Sequence, residues 1–144
     1  MYLMKKLFFA CLLVSLTVTL ACNNQGSNNE DAESSSVPEL MYKDLSMEQF
    51  QSIVSKPGKL VLVDFYADWC QPCRLMKPHI EAIGEEMKDR LEVVAINVDK
   101  NKALSDALNI DGIPLLHIYK DHELVWKGVG YREKAQLEAE INQL

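Results

Sequence analysis

Cys70 and Cys73 stand two residues apart at the end of the run Val61-Leu62-Val63-Asp64-Phe65-Tyr66-Ala67-Asp68-Trp69-Cys70-Gln71-Pro72-Cys73-Arg74. The run opens short, apolar and β-branched, the pattern of a buried strand. Beyond it, from Arg74 to Arg90, apolar residues recur at helical spacing. Pro72 suits a first helical turn, where the N–H it lacks had no partner to lose. The pair therefore falls where a strand hands over to a helix N-terminus, a place of unpaired N–H groups and partial positive charge. Those surroundings stabilise a thiolate, and the thiolate is the form that attacks disulfides. The rival for a C-x-x-C pair is half a zinc site. Zinc takes four ligands; no second C-x-x-C exists, and His79, His117 and His122, the only histidines, do not repeat at a ligand spacing. No metal is expected. No residue pattern suggests a haem, flavin or nicotinamide, so the expected cofactor is none.

Asp64 is the second residue with chemistry to offer. It interrupts Leu60-Val61-Leu62-Val63 and Phe65-Tyr66. A carboxyl group buried among apolar neighbours has a raised pKa and exchanges protons near neutral pH. The competing reading is a strand residue facing solvent. His117, in the apolar stretch Leu115 to Tyr119, reads as a hydrogen-bonded or half-exposed strand residue rather than a ligand.

The elements that must position these residues follow in order. Leu40-Met41-Tyr42 is a short candidate strand. Ser46 is a candidate N-cap for a helix whose Met47, Phe50, Ile53 and Val54 share a face. Lys56-Pro57-Gly58-Lys59 is a turn, and Leu60 to Ala67 the central strand. The following helix carries Leu75, Met76, Ile80, Ile83 and Met87, and Pro78, which should kink it. Leu91 to Val98 is a strand, Lys102 to Leu108 a short helix and Leu115 to Tyr119 another strand. Asp121-His122 is a hairpin turn, from which Glu123 to Val129 returns antiparallel. Arg132 to Leu144 closes the chain as a helix with Leu137 and Ile141 inward. This β-α-β-α-β-α-β-β-α order gives an α/β fold, a mixed central sheet with helices on both faces.

The strand, the Trp69-Cys70-Gln71-Pro72-Cys73 turn and helix, and Gly112-Ile113-Pro114 before a later apolar strand together resemble the thioredoxin family over residues 40–144. The resemblance implies the thioredoxin fold and a thiol–disulfide oxidoreductase. It makes Cys70 the exposed nucleophile, Cys73 the resolving thiol and Asp64 a buried proton acceptor for Cys73. It implies a cis bond at Ile113-Pro114, so that Ile113 offers its backbone to an extended substrate segment beside Cys70. Trp69 and Gly130 complete the docking surface, Gly130 by letting a partner backbone come close; core packing remains the other reading of Trp69. Three positions depart from the family pattern. Gln71 replaces a glycine; its amide can donate to the Cys70 thiolate and make the pair slightly more oxidising. Leu115 replaces a common threonine, which should make the rim more apolar. Ala95 stands where a lysine commonly lies near the aspartate, which should leave Asp64 harder to ionise.

Residues 1–22 read as a secretion signal: Lys5 and Lys6 are its positive end, and Leu7 to Leu20 an apolar core short of a full membrane span. The ending Thr19-Leu20-Ala21-Cys22 resembles a bacterial lipoprotein cleavage site, with Thr19 where leucine is usual; the rival is an ordinary cleaved signal with an incidental cysteine. A lipid on Cys22 would tether the protein to a membrane. Residues 23–39 are polar and read as a flexible linker, and residues 40–144 as the folded domain. The expected location is extracytoplasmic, on the periplasmic side, as a membrane-anchored lipoprotein. Cys11 lies in the apolar core, so only Cys70 and Cys73 belong to the domain, as a redox pair rather than a structural staple.

The formal charge is −6; leaving out Lys5 and Lys6, 13 Lys and Arg face 21 Asp and Glu. Nucleic-acid binding needs a basic face and is not expected. The expected partners are protein disulfide or dithiol substrates and an unidentified, membrane-bound electron donor or acceptor. Two other function classes stay open: a peptide-binding module without turnover, against which the intact cysteine pair counts, and an electron-transfer partner dedicated to one membrane or cofactor-assembly protein.

Overall fold

A computed structural model describes residues 42–144. The readings on Cys11, on the signal at 1–22 with Cys22, on the linker at 23–39 and on Leu40-Met41 lie outside the described residues. Tyr42, the described part of the expected first strand, is in no strand.

The elements are α1 (Met47–Val54), β1 (Leu60–Tyr66), α2 (Gln71–Glu86), β2 (Leu91–Asn97), α3 (Lys102–Ala107), β3 (Leu115–Lys120), β4 (Glu123–Val129) and α4 (Lys134–Ile141). The sheet order is β2-β1-β3-β4. β2 runs parallel to β1, while β3 and β4 are antiparallel to their neighbours. The mixed sheet with helices on both faces is the expected thioredoxin fold.

Alternation along β1 divides its side chains between two cores. Val61, Val63 and Phe65 pack with Phe50 and Val54 of α1 and Leu104 of α3. Leu60 and Leu62 pack with Met76, Ile80 and Ile83 of α2 and with Leu137 and Ile141 of α4. A central strand covered on both faces carries an unbroken apolar run, and that run makes β1 legible in the sequence. Asp64 has the parity of Leu60 and Leu62, so it faces α2.

The helices start where their caps dictate. The Ser46 hydroxyl accepts from the Gln49 N–H, and the Gln49 side chain accepts from the Ser46 N–H, a reciprocal capping box. α2 ends at Glu86, short of the expected Arg90, because Arg90 and Leu91 both donate to the Met87 carbonyl and turn the chain into β2. Of the apolar residues this helix carries, Leu75 is 59% exposed; the buried face of α2 is Cys73, Met76, Ile80 and Ile83. Between β3 and β4, Asp121 and His122 take φ of 48° and 67°, the left-handed pair that suits a two-residue hairpin.

Candidate functional site

The turn from β1 into α2 builds the site. Cys70 is the N-cap of α2, with Gln71 and Pro72 in the first turn. The Cys73 N–H donates to Cys70 Sγ at 3.3 Å, so one of the helix's unpaired first-turn donors is already aimed at that sulfur. The two cysteines are joined in a disulfide with Cα atoms 5.3 Å apart. Cys70, expected to be exposed, is 3% exposed, as is Cys73. The N-cap position folds the sulfur back over the first turn, and Ala67, Tyr66, Val98 and Ile113 pack against the pair.

Opposite the disulfide, the Ile113–Pro114 bond is cis, as the resemblance implied. Ile113 is half-buried and Pro114 buried. The Gly130 N–H donates to the Pro114 carbonyl at 2.8 Å, which ties the end of β4 to the cis-proline loop. Gly130 takes φ +84°, and nothing lies within 4 Å of where its Cβ would stand. The glycine is thus required by its backbone angle, and it leaves open space in front.

Trp69 is 69% exposed, which removes core packing as its role. Its Nε1–H donates to Asp99 Oδ2 at 2.8 Å. The neighbouring Asp68 accepts from Asn97 Nδ2 at 3.2 Å and lies 3.7 Å from Lys100 Nζ, while its carbonyl accepts from Arg74. Asn97 in turn caps the Asp99 and Lys100 N–H groups. This latch, which holds the indole beside the disulfide from the end of β2, was not read from the sequence. Its only trace there is a cluster of Asx residues at Asn97, Asp99 and Asn101, the composition of a side-chain-bonded turn.

Asp64 is buried, at 5% exposure, and its Oδ1 has no hydrogen-bond partner. Burial pushes its carboxyl from 3.8 to about 7, with the Lys77 charge acting in the opposite direction. A cavity of about 420 Å³ lies against this carboxyl, and Cys73, Lys77, Val93 and Ala95 also wall it. Ala95 is the direct register partner of Asp64 on β2, where the family pattern places its lysine. The carboxyl is harder to ionise, the direction expected with Ala95 at that place, and Lys77 of α2 offsets only part of the rise with its positive charge. Lys77 was passed over in the sequence, although its position four residues after Cys73 puts it one turn further along the same helix.

One further expectation changes: Leu115 does not reach the rim; it is buried in the core with Phe65 and Ile96. His117 is a buried, hydrogen-bonded strand residue, the first of the two readings given for it. Its Nδ1 lies 3.0 Å from the Tyr119 hydroxyl, its Nε2 has no partner, and burial lowers its pKa to about 4. It faces Phe65, across the sheet from Asp64, and belongs to no functional cluster. Among the described residues, no group of three or more His, Cys, Asp or Glu side chains could hold a metal ion.

The thioredoxin family model matches residues 38–143. The chain belongs to the thioredoxin family. A thioredoxin of Listeria monocytogenes is 39% identical over 103 residues, which cover 72% of this chain and 98% of that protein. One from Buchnera aphidicola is 41% identical over 93 residues, 65% of this chain and 85% of that protein. In three dimensions the chain is similar to a mutant thioredoxin of Halobacterium salinarum, with a TM-score of 0.62 and 34% identity over 68% of this chain and 84% of the other. Thioredoxins are disulfide oxidoreductases that act on protein disulfides, and this chain is an oxidoreductase of that type with Cys70 and Cys73 as its redox pair.

Proposed function

We propose that the protein reduces disulfides of extracytoplasmic proteins by a two-step exchange, with Cys70 as nucleophile, Cys73 as resolving thiol and Asp64 as proton acceptor. The observation that carries this reading is the Cys73 N–H aimed at Cys70 Sγ from the first turn of α2. In the reduced protein that donor and the helix N-terminus favour the Cys70 thiolate. The thiolate attacks one sulfur of the substrate disulfide; a Cys70–substrate disulfide forms and the other substrate sulfur leaves as thiolate. Cys73 then passes its proton to the Asp64 carboxylate and attacks Cys70 Sγ. The Cys70–Cys73 disulfide forms, the second substrate thiolate leaves, and two electrons have passed to the substrate. Run backwards, the same steps oxidise a dithiol. Trp69, Ile113, Pro114 and Gly130 form the docking surface, with the open space before Gly130 admitting a substrate backbone.

Location and partner complete the reading. Lys5, Lys6, the apolar run and Ala21-Cys22 support export and a lipid on Cys22. Extracytoplasmic space is oxidising, so a reductase there needs a source of electrons, and a membrane-bound donor fits a tethered protein. Renewed instead by an oxidant, the same disulfide would form bonds in its substrates. The test of the roles is the pH–rate profile of disulfide exchange. Asp64→Asn removes the proton acceptor, so the inflection near neutral pH is expected to vanish; an unchanged profile removes Asp64 from the mechanism.

A further inference from the structure

We propose that Lys77 is the positioning residue for proton transfer at the resolving step, acting through Asp64 across the cavity that Ala95 leaves open. The inference rests on the reading of Asp64 as proton acceptor and adds the group that sets its charge. Three placements support it. Cys73 and Lys77 lie one turn apart on α2, Cys73 on its buried face and Lys77 exposed. Asp64 lies beneath them on β1, with an Oδ1 that has no hydrogen-bond partner. Ala95 stands directly beside Asp64 on β2, and its methyl group neither fills the space nor brings a charge. All four residues wall the same cavity.

A buried carboxylate without a counter-charge is costly. An ammonium at the mouth of the cavity offsets part of that cost and leaves water access, since the Lys77 side chain is 51% exposed. The other charged or titratable groups of the cavity wall are Arg74 and Glu81 on α2, Tyr66 at the end of β1, and Asp68 in the turn after it. β2 contributes only Val93 and Ala95 to the wall, and the β3 residue opposite Asp64 is Leu116. Asp68 is engaged with Asn97 and Lys100, and Arg74 with the Asp68 carbonyl. Lys77 is thus the cation of the wall that acts on Asp64 by its charge. Glu81 opposes it: it lies 4.0 Å from Lys77 Nζ, one turn further along α2. By its sign, the Glu81 carboxylate would act on the Asp64 proton affinity against Lys77.

The test is an NMR titration of the Asp64 side-chain carboxyl in the oxidised protein, where neither cysteine titrates, paired with the pH–rate profile of the reduced protein. Lys77→Gln should raise the titration midpoint of Asp64 by about half a pH unit or more, roughly a threefold change in proton affinity. Lys77→Arg should restore the parent midpoint, and Glu81→Gln should lower it. The rate inflection should move with the midpoint, and in an Asp64→Asn background Lys77→Gln should leave the profile unchanged. An Asp64 midpoint indifferent to both Lys77→Gln and Glu81→Gln overturns the inference. A rate profile that ignores Asp64→Asn, while the midpoint still follows Lys77, overturns the proton-acceptor reading and leaves the electrostatic pairing standing.

Discussion

Replacing Asp64 by Asn should stabilise the oxidised protein, by an amount that grows with pH. Asp64 is 5% exposed, and its carboxyl is pushed from 3.8 to about 7 by burial. Between those values the folded protein holds a proton that the unfolded chain has lost, so stability falls as pH rises through the window. Above the window the folded state carries a buried charge. A difference of about three pH units, at about 1.4 kcal/mol each, amounts to about 4 kcal/mol. An Asn side chain keeps the shape and stays neutral. The variant should match the parent near pH 4 and exceed it by up to about 4 kcal/mol above pH 8. The assay is urea unfolding of parent and variant, both with the disulfide intact, from pH 4 to 9, comparing midpoints at constant slope. A difference between the two proteins that does not change with pH would refute the reasoning, because only a titrating Asp64 makes it grow.

Three further outcomes are expected. His117, buried and lowered to about 4, is neutral in the folded state where the unfolded imidazole is charged. Its contribution is complete above pH 6.5 and is lost as pH falls toward 4, so His117→Gln should flatten the acid limb of the Asp64→Asn stability curve, read by the same urea titrations. Gln71→Gly should lower the reduction potential by tens of millivolts or less, since about 30 mV corresponds to about 1.4 kcal/mol and Gln71 is exposed, where a hydrogen bond contributes less than a buried one; equilibration with glutathione measures it, and an upward shift contradicts the role given to the amide. Cys22→Ser should move the protein from the membrane to the soluble fraction, and mass spectrometry of the parent should find a lipid on Cys22; an unmodified mature N-terminus at or beyond Cys22 contradicts the tether.

The parts of the fold that were legible in the sequence are those fixed by local chemistry. β1 showed itself because both its faces are covered. α1 showed its start because Ser46 and Gln49 satisfy each other across one turn. The hairpin at Asp121-His122 lies where two apolar runs are joined by two turn-forming residues. The cysteine pair and the buried aspartate could be placed because their position relative to a strand and a helix is itself a signal, whereas the cis proline was implied by the family resemblance alone. Contacts formed across long stretches of chain were not legible. Leu75 fits the helical period yet lies on the solvent side, and Leu115 sits next to the rim proline yet turns into the core. Asp99 holds Trp69 from thirty residues away. The missing cation at Ala95 could be read, but its partial offset by Lys77 required α2 to be laid across the sheet.

The central claim, that Cys70 attacks and Cys73 resolves, is tested most directly by trapping. Each full-length single variant, Cys70→Ser and Cys73→Ser, is expressed in cells, free thiols are blocked at acid pH, and mixed disulfides are mapped by mass spectrometry. Without the resolving thiol the intermediate persists, so Cys73→Ser should accumulate disulfides between Cys70 and substrate proteins of the extracytoplasmic space, and Cys70→Ser should accumulate none. Adducts carried by Cys73 in the Cys70→Ser variant, with none on Cys70 in the Cys73→Ser variant, would contradict the account.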